Sequence, residues 1–130
     1  MSVKYGTAAR KKPGEPESQP KYYPSVKSSG RVTLRQLSKR IAQISTVSTV
    51  DTMAVLEALL TVIPEELTLG NIVALGDLGT FWLRIKSTGS DNPEDVSAHN
   101  IVNTLPRFTP GKEFKQVLDT IDYVKDQISS

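Results

Sequence analysis

GNIVALGDLGTFWLRIKSTGSDNPEDVSAHNIVNTLPRFTPGKEFK, residues Gly70–Lys115, decides how the chain is read. Asn71–Leu75 and Thr80–Lys86 are rich in apolar and aromatic residues, the signature of strands. Gly76-Asp77-Leu78-Gly79 between them supplies the two glycines that a tight hairpin needs. Ser87–Ser97 is polar and holds Gly89, Asn92 and Pro93, which predicts a turn or a mobile arm tip. Ala98–Thr104 then returns as a strand, with Pro106 and Pro110 bracketing its end. Gly111 opens a last helix, on which Phe114, Val117, Leu118, Ile121, Val124 and Ile128 form an apolar stripe.

Upstream, the pattern is helical. Thr33-x-x-Gln36 has the spacing of a capping box, in which the hydroxyl accepts a backbone amide and the glutamine reaches back. Leu34, Leu37, Ile41 and Ile44 follow at steps of three and four, giving one apolar stripe. Arg31 precedes it, and Arg35, Lys39 and Arg40 fall off it, where they keep an outer face soluble or meet a phosphate. Ser48 caps a second, longer helix, with Asp51 favourable in its first turn. Val50, Met53, Leu56, Leu59 or Leu60, Ile63 and Leu67 make its apolar face. That face is broader than the first helix can cover, which predicts burial against a second copy. Pro64 should kink or restart the helix, and Gly70 should stop it.

Residues 1–30 differ in kind. Pro13, Pro16, Pro20 and Pro24 recur with Gly14, Ser18 and Gln19 between them, so extended or polyproline-like backbone is expected from Lys12 to Pro24. Val3–Ala9 could add an edge strand, and Tyr22 and Tyr23 are expected to pack back on the domain rather than to stack on a base. The expected organisation is a basic, proline-rich extension, 1–30, ahead of one domain, 31–130. Charge follows the same division. Met1–Ile44 carries ten Lys/Arg against two Glu, for +8, and the remainder carries −6, leaving +2. A basic N-terminal third suggests an anionic partner.

Several classes are disfavoured. The chain has no cysteine, which removes disulfides, thiolate metal sites and cysteine catalysis. No apolar run approaches a membrane span of about 18 residues, and the first residues lack a signal-peptide pattern. His99, expected as a surface residue of the returning strand, is the single histidine, and no nucleophile elbow or phosphate loop accompanies it. The expectation is therefore a non-enzyme without cofactor, metal or small-molecule substrate, in the cytoplasm. Lys112 and Lys115 lie in the first turns of the last helix, where cations oppose the macrodipole. Helix stability does not account for them, whereas an anionic partner would.

The order of two helices, a three-stranded hairpin sheet with an arm, and a terminal helix resembles a subunit of the HU/IHF family of bacterial histone-like proteins from about Val32 to Ile121. The residues that carry the resemblance are Gly76-x-Leu78-Gly79-Thr80-Phe81, Asn92-Pro93 and Pro106-x-Phe108-x-Pro110-Gly111-Lys112. With its extension, the whole chain looks most like the HU-related DNA-binding proteins of Bacteroidetes-type bacteria. The resemblance implies an α+β fold, an intertwined homodimer and double-stranded DNA as partner, in the nucleoid. It implies that Pro93, with Asn92 beside it, is the wedge at the arm tip. Arg84 and Lys86 match basic positions at the base of the arm, and Lys112 and Lys115 a basic pair on the saddle floor. Thr80 lies in the hairpin facing the DNA backbone, and Arg107 within the third anchor.

The arm departs from the family pattern, which has further arginines. Here Asp91, Glu94 and Asp95 flank the tip, where phosphates would repel them. Two readings follow. The first is an architectural DNA-binding protein with little sequence preference that bends or compacts the duplex. The second, favoured by the carboxylates after Ile44, is an interaction or assembly module on the same fold that has lost strong DNA binding.

Overall fold

The fold, a computed structural model, describes residues 2–11, 13–15, 17 and 19–126. It is mixed α+β and forms two compact units, Thr33–Gln116 and a second made of Met1–Val32 with Val117–Ser130.

In the unit Thr33–Gln116, helix α1, Leu34–Ile44, starts at the capping box read from the sequence. Gln36 N donates to Thr33 Oγ1 at 3.2 Å, and Thr33 N donates to Gln36 Oε1 at 2.9 Å. Helix α2, Thr49–Thr68, is capped by Ser48, whose hydroxyl accepts from Asp51 N at 3.1 Å. It runs unbroken through Pro64, which was expected to kink or restart it. Its end is closed twice over, since Gly70 N donates to Leu67 O and Asn71 N to Glu66 O, with Gly70 at φ 84°. That double closure satisfies carbonyls the helix would otherwise leave unpaired. Thr52, Met53, Leu56, Leu59, Ile63 and Leu67 form the more buried stripe of α2.

Strand β3 is only Val73–Ala74, shorter than the run Asn71–Leu75 suggests, and pairs with β4, Gly79–Ser87. A 3-10 turn over Gly76–Leu78 joins them, closed by Leu75 N donating to Gly79 O at 2.9 Å. Strand β5 covers Ile101–Pro110 and lies antiparallel to β4, giving the order β3-β4-β5. The sequence reading started the return strand at Ala98 and placed Pro106 and Pro110 at its end. Instead it starts at Ile101 and runs through both prolines. As an edge strand, β5 tolerates residues that lack an N–H. His99 lies in a 3-10 turn, Ala98–Asn100, and not on the strand.

Helix α3, Lys112–Leu118, is the larger correction. The apolar spacing was expected to carry it past Val124. It stops at Leu118, where Thr120 N and Ile121 N turn back to the carbonyls of Val117 and Leu118. Asp122–Lys125 then forms strand β6, and Ile128 lies outside the described residues. The reason is tertiary. β6 pairs in parallel with β1, Ser2–Arg10, and Tyr-Val suits a strand as well as a helix. β1 also pairs antiparallel with β2, Lys21–Val26, giving the order β2-β1-β6. Residues Val3–Ala9 thus lie in the central strand rather than at an edge. Pro24 lies in a strand where polyproline-like backbone was expected, and β2 is an edge strand, so its missing N–H leaves no gap in the sheet. Tyr22 and Tyr23 do not pack back either, since both remain exposed.

No described helix is long and apolar enough to cross a membrane.

Two glycines fix the root of the hairpin. A Cβ on Gly79, at φ 145°, would lie 2.5 Å from Thr109 O and 2.6 Å from the Phe108 ring. A Cβ on Gly111 would be driven into the carbonyl of Asp77, because Gly111 N donates to Leu78 O at 3.0 Å across the same junction. We expect Gly79→Ala and Gly111→Ala each to lower stability by about 2 kcal/mol or more in denaturant titrations. Gly89→Ala, where a Cβ meets nothing within 4 Å, should change it by less than about 0.5 kcal/mol.

Candidate nucleic-acid interface

Directly opposed residues of an antiparallel pair point to the same side, so the β4–β5 register assigns every side chain to a face. Phe81 opposes Phe108, Leu83 opposes Pro106 and Ile85 opposes Thr104. This is the apolar face, and the Phe81 and Phe108 rings lie 5.0 Å apart on it. On the other face Thr80 opposes Thr109, Trp82 opposes Arg107, Arg84 opposes Leu105 and Lys86 opposes Asn103. Trp82 Nε1 donates to Thr109 Oγ1 at 2.7 Å, a diagonal bond that only residues on one face can make.

The structure therefore brings Thr80, Arg84, Lys86 and Arg107 onto one face of the hairpin. Arg84, Lys86 and Arg107 are exposed, and none is in an ion pair among the described residues. Side chains two apart on a strand recur about every 6.7 Å, so Arg84 and Lys86 form a short cationic row. Arg107 widens it from the neighbouring strand. Trp82 is the residue that sequence reading missed here. Its signal was available, since it alternates with Phe81 and Leu83 and so shares a side with the cations.

The arm tip is ordered by hydrogen bonds around Asn100. Asn100 Nδ2 donates to Thr88 O and to Ser90 Oγ, both at 3.0 Å. Thr88 N donates to Asn100 O at 2.8 Å, and Ser97 N to Asn100 Oδ1 at 2.8 Å. This clamp was also missed, although Ser97-x-x-Asn100 has the spacing of a cap. Pro93 begins a 3-10 turn, Pro93–Asp95, and is exposed. Asn92 sits next to it, with Nδ2 3.4 Å from Asp95 Oδ2. Asp91, Glu94 and Asp95 are exposed around it, so the tip is acidic where the hairpin's shaft is basic.

Lys112 and Lys115 form a separate group at the hairpin's root. Phe114, between them, packs edge-on against Phe108 at 5.9 Å. That contact ties α3 to the apolar face, opposite to the one bearing Arg84 and Arg107. Among the described residues no cluster of His, Cys, Asp or Glu has the geometry to hold a metal.

Two solved structures are similar to this chain. A protein of Bacteroides vulgatus ATCC 8482, to which bacterial DNA binding is ascribed, matches with a TM-score of 0.63 over 98% of this chain, at 12% identity. This chain spans 50% of that protein's length, and the likeness is one of fold alone. HU of Anabaena, from an HU–DNA cocrystal structure, matches with a TM-score of 0.53 at 25% identity, over 68% of this chain and 98% of that one. No curated protein matches the sequence. The model of the HU-HIG family, described as an HU domain fused to wHTH, Ig, or Glycine-rich motif, matches residues 1–125. With nearly its whole length accounted for in this way, the chain belongs to the HU-HIG family.

Proposed function

We propose that the chain is an architectural DNA-binding protein that grips duplex DNA with little sequence preference and bends or compacts it, in the cytoplasm at the nucleoid. The observation that carries this is the segregation of the hairpin, with Arg84, Lys86, Arg107 and Thr80 on one face and Phe81, Leu83 and Ile85 on the other. Cations without protein partners are suited to phosphates, and such contacts bring affinity without base reading. The Anabaena HU–DNA complex supports the same reading. Lys112 and Lys115 extend the contact at the root, and the basic residues of the extension 1–30 add to it. Asn92 and Pro93 act on duplex shape at the tip.

The working unit is a homodimer. Among the described residues Leu67 is the single large apolar side chain that is buried, at 7% exposure, whereas Val50 and Leu60 of α2 are 74% and 68% exposed. A helix apolar on all sides is a buried helix, and α1 covers only one side of this one. The competing reading, an assembly module without strong DNA binding, rests on the exposed carboxylates of the tip.

Three cations per protomer neutralising about six phosphates per dimer contribute about −5 to the slope of log affinity against log salt. Replacing Arg84, Lys86 and Arg107 together by alanine should make the slope shallower by a similar amount and weaken duplex binding about a hundredfold at low salt. A flat salt response of the unaltered protein would favour the assembly module instead. Light scattering should give twice the 14.3 kDa chain mass. Leu60→Asp, which would place a charge in the subunit contact, should leave monomer or aggregate. A unaltered protein that scatters only as a 14.3 kDa species would contradict the dimer.

A further inference from the structure

All four tyrosines of the chain, Tyr5, Tyr22, Tyr23 and Tyr123, belong to the unit built on the β2-β1-β6 sheet. The register sorts them. Tyr5 opposes Val26 and Lys125, Tyr22 opposes Ala9, and Tyr123 opposes Val3. Since Val3, Tyr5, Thr7 and Ala9 alternate to one side of β1, Tyr5, Tyr22, Tyr123 and Lys125 share that side. Together they line a shallow concavity of about 630 Å3. Tyr22 is 71% exposed and Tyr123 60% exposed.

This face is a built surface. Lys27 N donates to Lys4 O at 2.8 Å, and Asp126 N to Tyr5 O at 2.8 Å, which fastens both outer strands to β1. The Lys27–Asp126 ion pair, at 2.7 Å, bridges the two outer segments across the central strand on the reverse side of the sheet, where the Lys27 side chain lies over Gly6. The segments of this unit carry eight Lys/Arg against five Asp/Glu, for +3, whereas Thr33–Gln116 carries eight against nine, for −1. The net positive charge of the chain thus resides in the unit that holds its tyrosines; on its strands the register puts Lys125 on the tyrosine side and Lys4, Arg10 and Lys21 on the reverse side.

We propose that this sheet face is a second nucleic-acid site, one that takes a single-stranded segment by stacking bases on Tyr22, Tyr5 and Tyr123 while Lys125, the strand cation on the same side among the described residues, holds a phosphate. Flat aromatic rings on adjacent strands accept any base, because every base has a π-face, and Lys125 beside Tyr5 complements the backbone charge. From the level of Val3 to that of Ala9 the rings span about 20 Å along β1, room for several bases. The site is distinct from the β4–β5 hairpin and does not depend on that hairpin's reading.

The test uses the full chain and a labelled oligothymidine of about 20 nucleotides beside a duplex of equal length. Tyr22→Leu with Tyr123→Leu should weaken single-strand binding about tenfold or more and leave duplex binding within about twofold. Tyr22→Phe with Tyr123→Phe should keep single-strand binding, since stacking needs the ring and not the hydroxyl. Cross-linking of the unaltered protein to an iodouracil-substituted oligonucleotide should map to Tyr22, Tyr123 or both, and this decides the matter even if the leucine variant fails to fold. Equal losses on single strand and duplex, no binding of the single strand by the unaltered protein, or cross-links confined to Thr80–Lys115 would each overturn the proposal. Loss of duplex binding alone in the leucine variant would also overturn it, whereas an unaltered protein that binds the single strand but no duplex would count against the hairpin reading and leave this one standing.

Discussion

The register of β4 against β5 is the constraint on which the rest depends. It runs from Gly79 opposite Pro110 to Lys86 opposite Asn103. A slip of one residue would carry every β4 side chain to the other side of the sheet. Arg84 and Lys86 would then fall on the apolar side that bears Phe108, and Phe81 would lose its ring partner. The register is held at the root, where Gly79 admits the Phe108 ring and Gly111 admits the Asp77 carbonyl. It is held again near the tip by the hydrogen bonds of Asn100. Between these two fixtures the strands need little further specification, and their outward residues are free to be cationic.

The apolar side of the same hairpin has the complementary consequence. Leu83, Ile85 and Val102 are exposed, as are Val50, Val55 and Leu60 of α2. One chain of this size buries little, and a projecting arm lowers that further. This open apolar surface is what the proposed homodimer would cover. On that proposal fold and assembly are one problem, and the cationic face belongs to a hairpin whose other side the partner would help to cover.

Local signals were legible in the sequence wherever one residue satisfies another a few positions away. Thr33 with Gln36, Ser48 with Asp51, and Gly70 as a helix stop all act within one turn, and each is present in the structure. What was not legible depends on partners far along the chain. Asp122–Lys125 reads as the end of an apolar helical stripe, and only the edge offered by Ser2–Tyr5, more than a hundred residues earlier, makes it a strand. Pro24 and Pro106 argue against strands until one knows that both strands lie at sheet edges. Of the residues expected to meet DNA, Thr80, Arg84, Lys86 and Arg107 converge on one face, whereas Lys112 and Lys115 stand apart on α3. Alternation along β4 separates the faces. The part played by β5 needed the register, which no local pattern supplies.

The proposed function requires that position on a face, and not charge alone, make this hairpin bind DNA. A double variant, Arg84→Ile with Ile85→Arg, keeps composition and net charge and moves one cation to the apolar side. Its duplex affinity should be measured across a salt series beside the unaltered protein. The account predicts weaker binding and a log–log slope shallower by about 2 per dimer, one phosphate contact being lost from each subunit. Unchanged affinity and slope would contradict it, because the cation would then act through net charge and the sidedness of the hairpin would be without consequence.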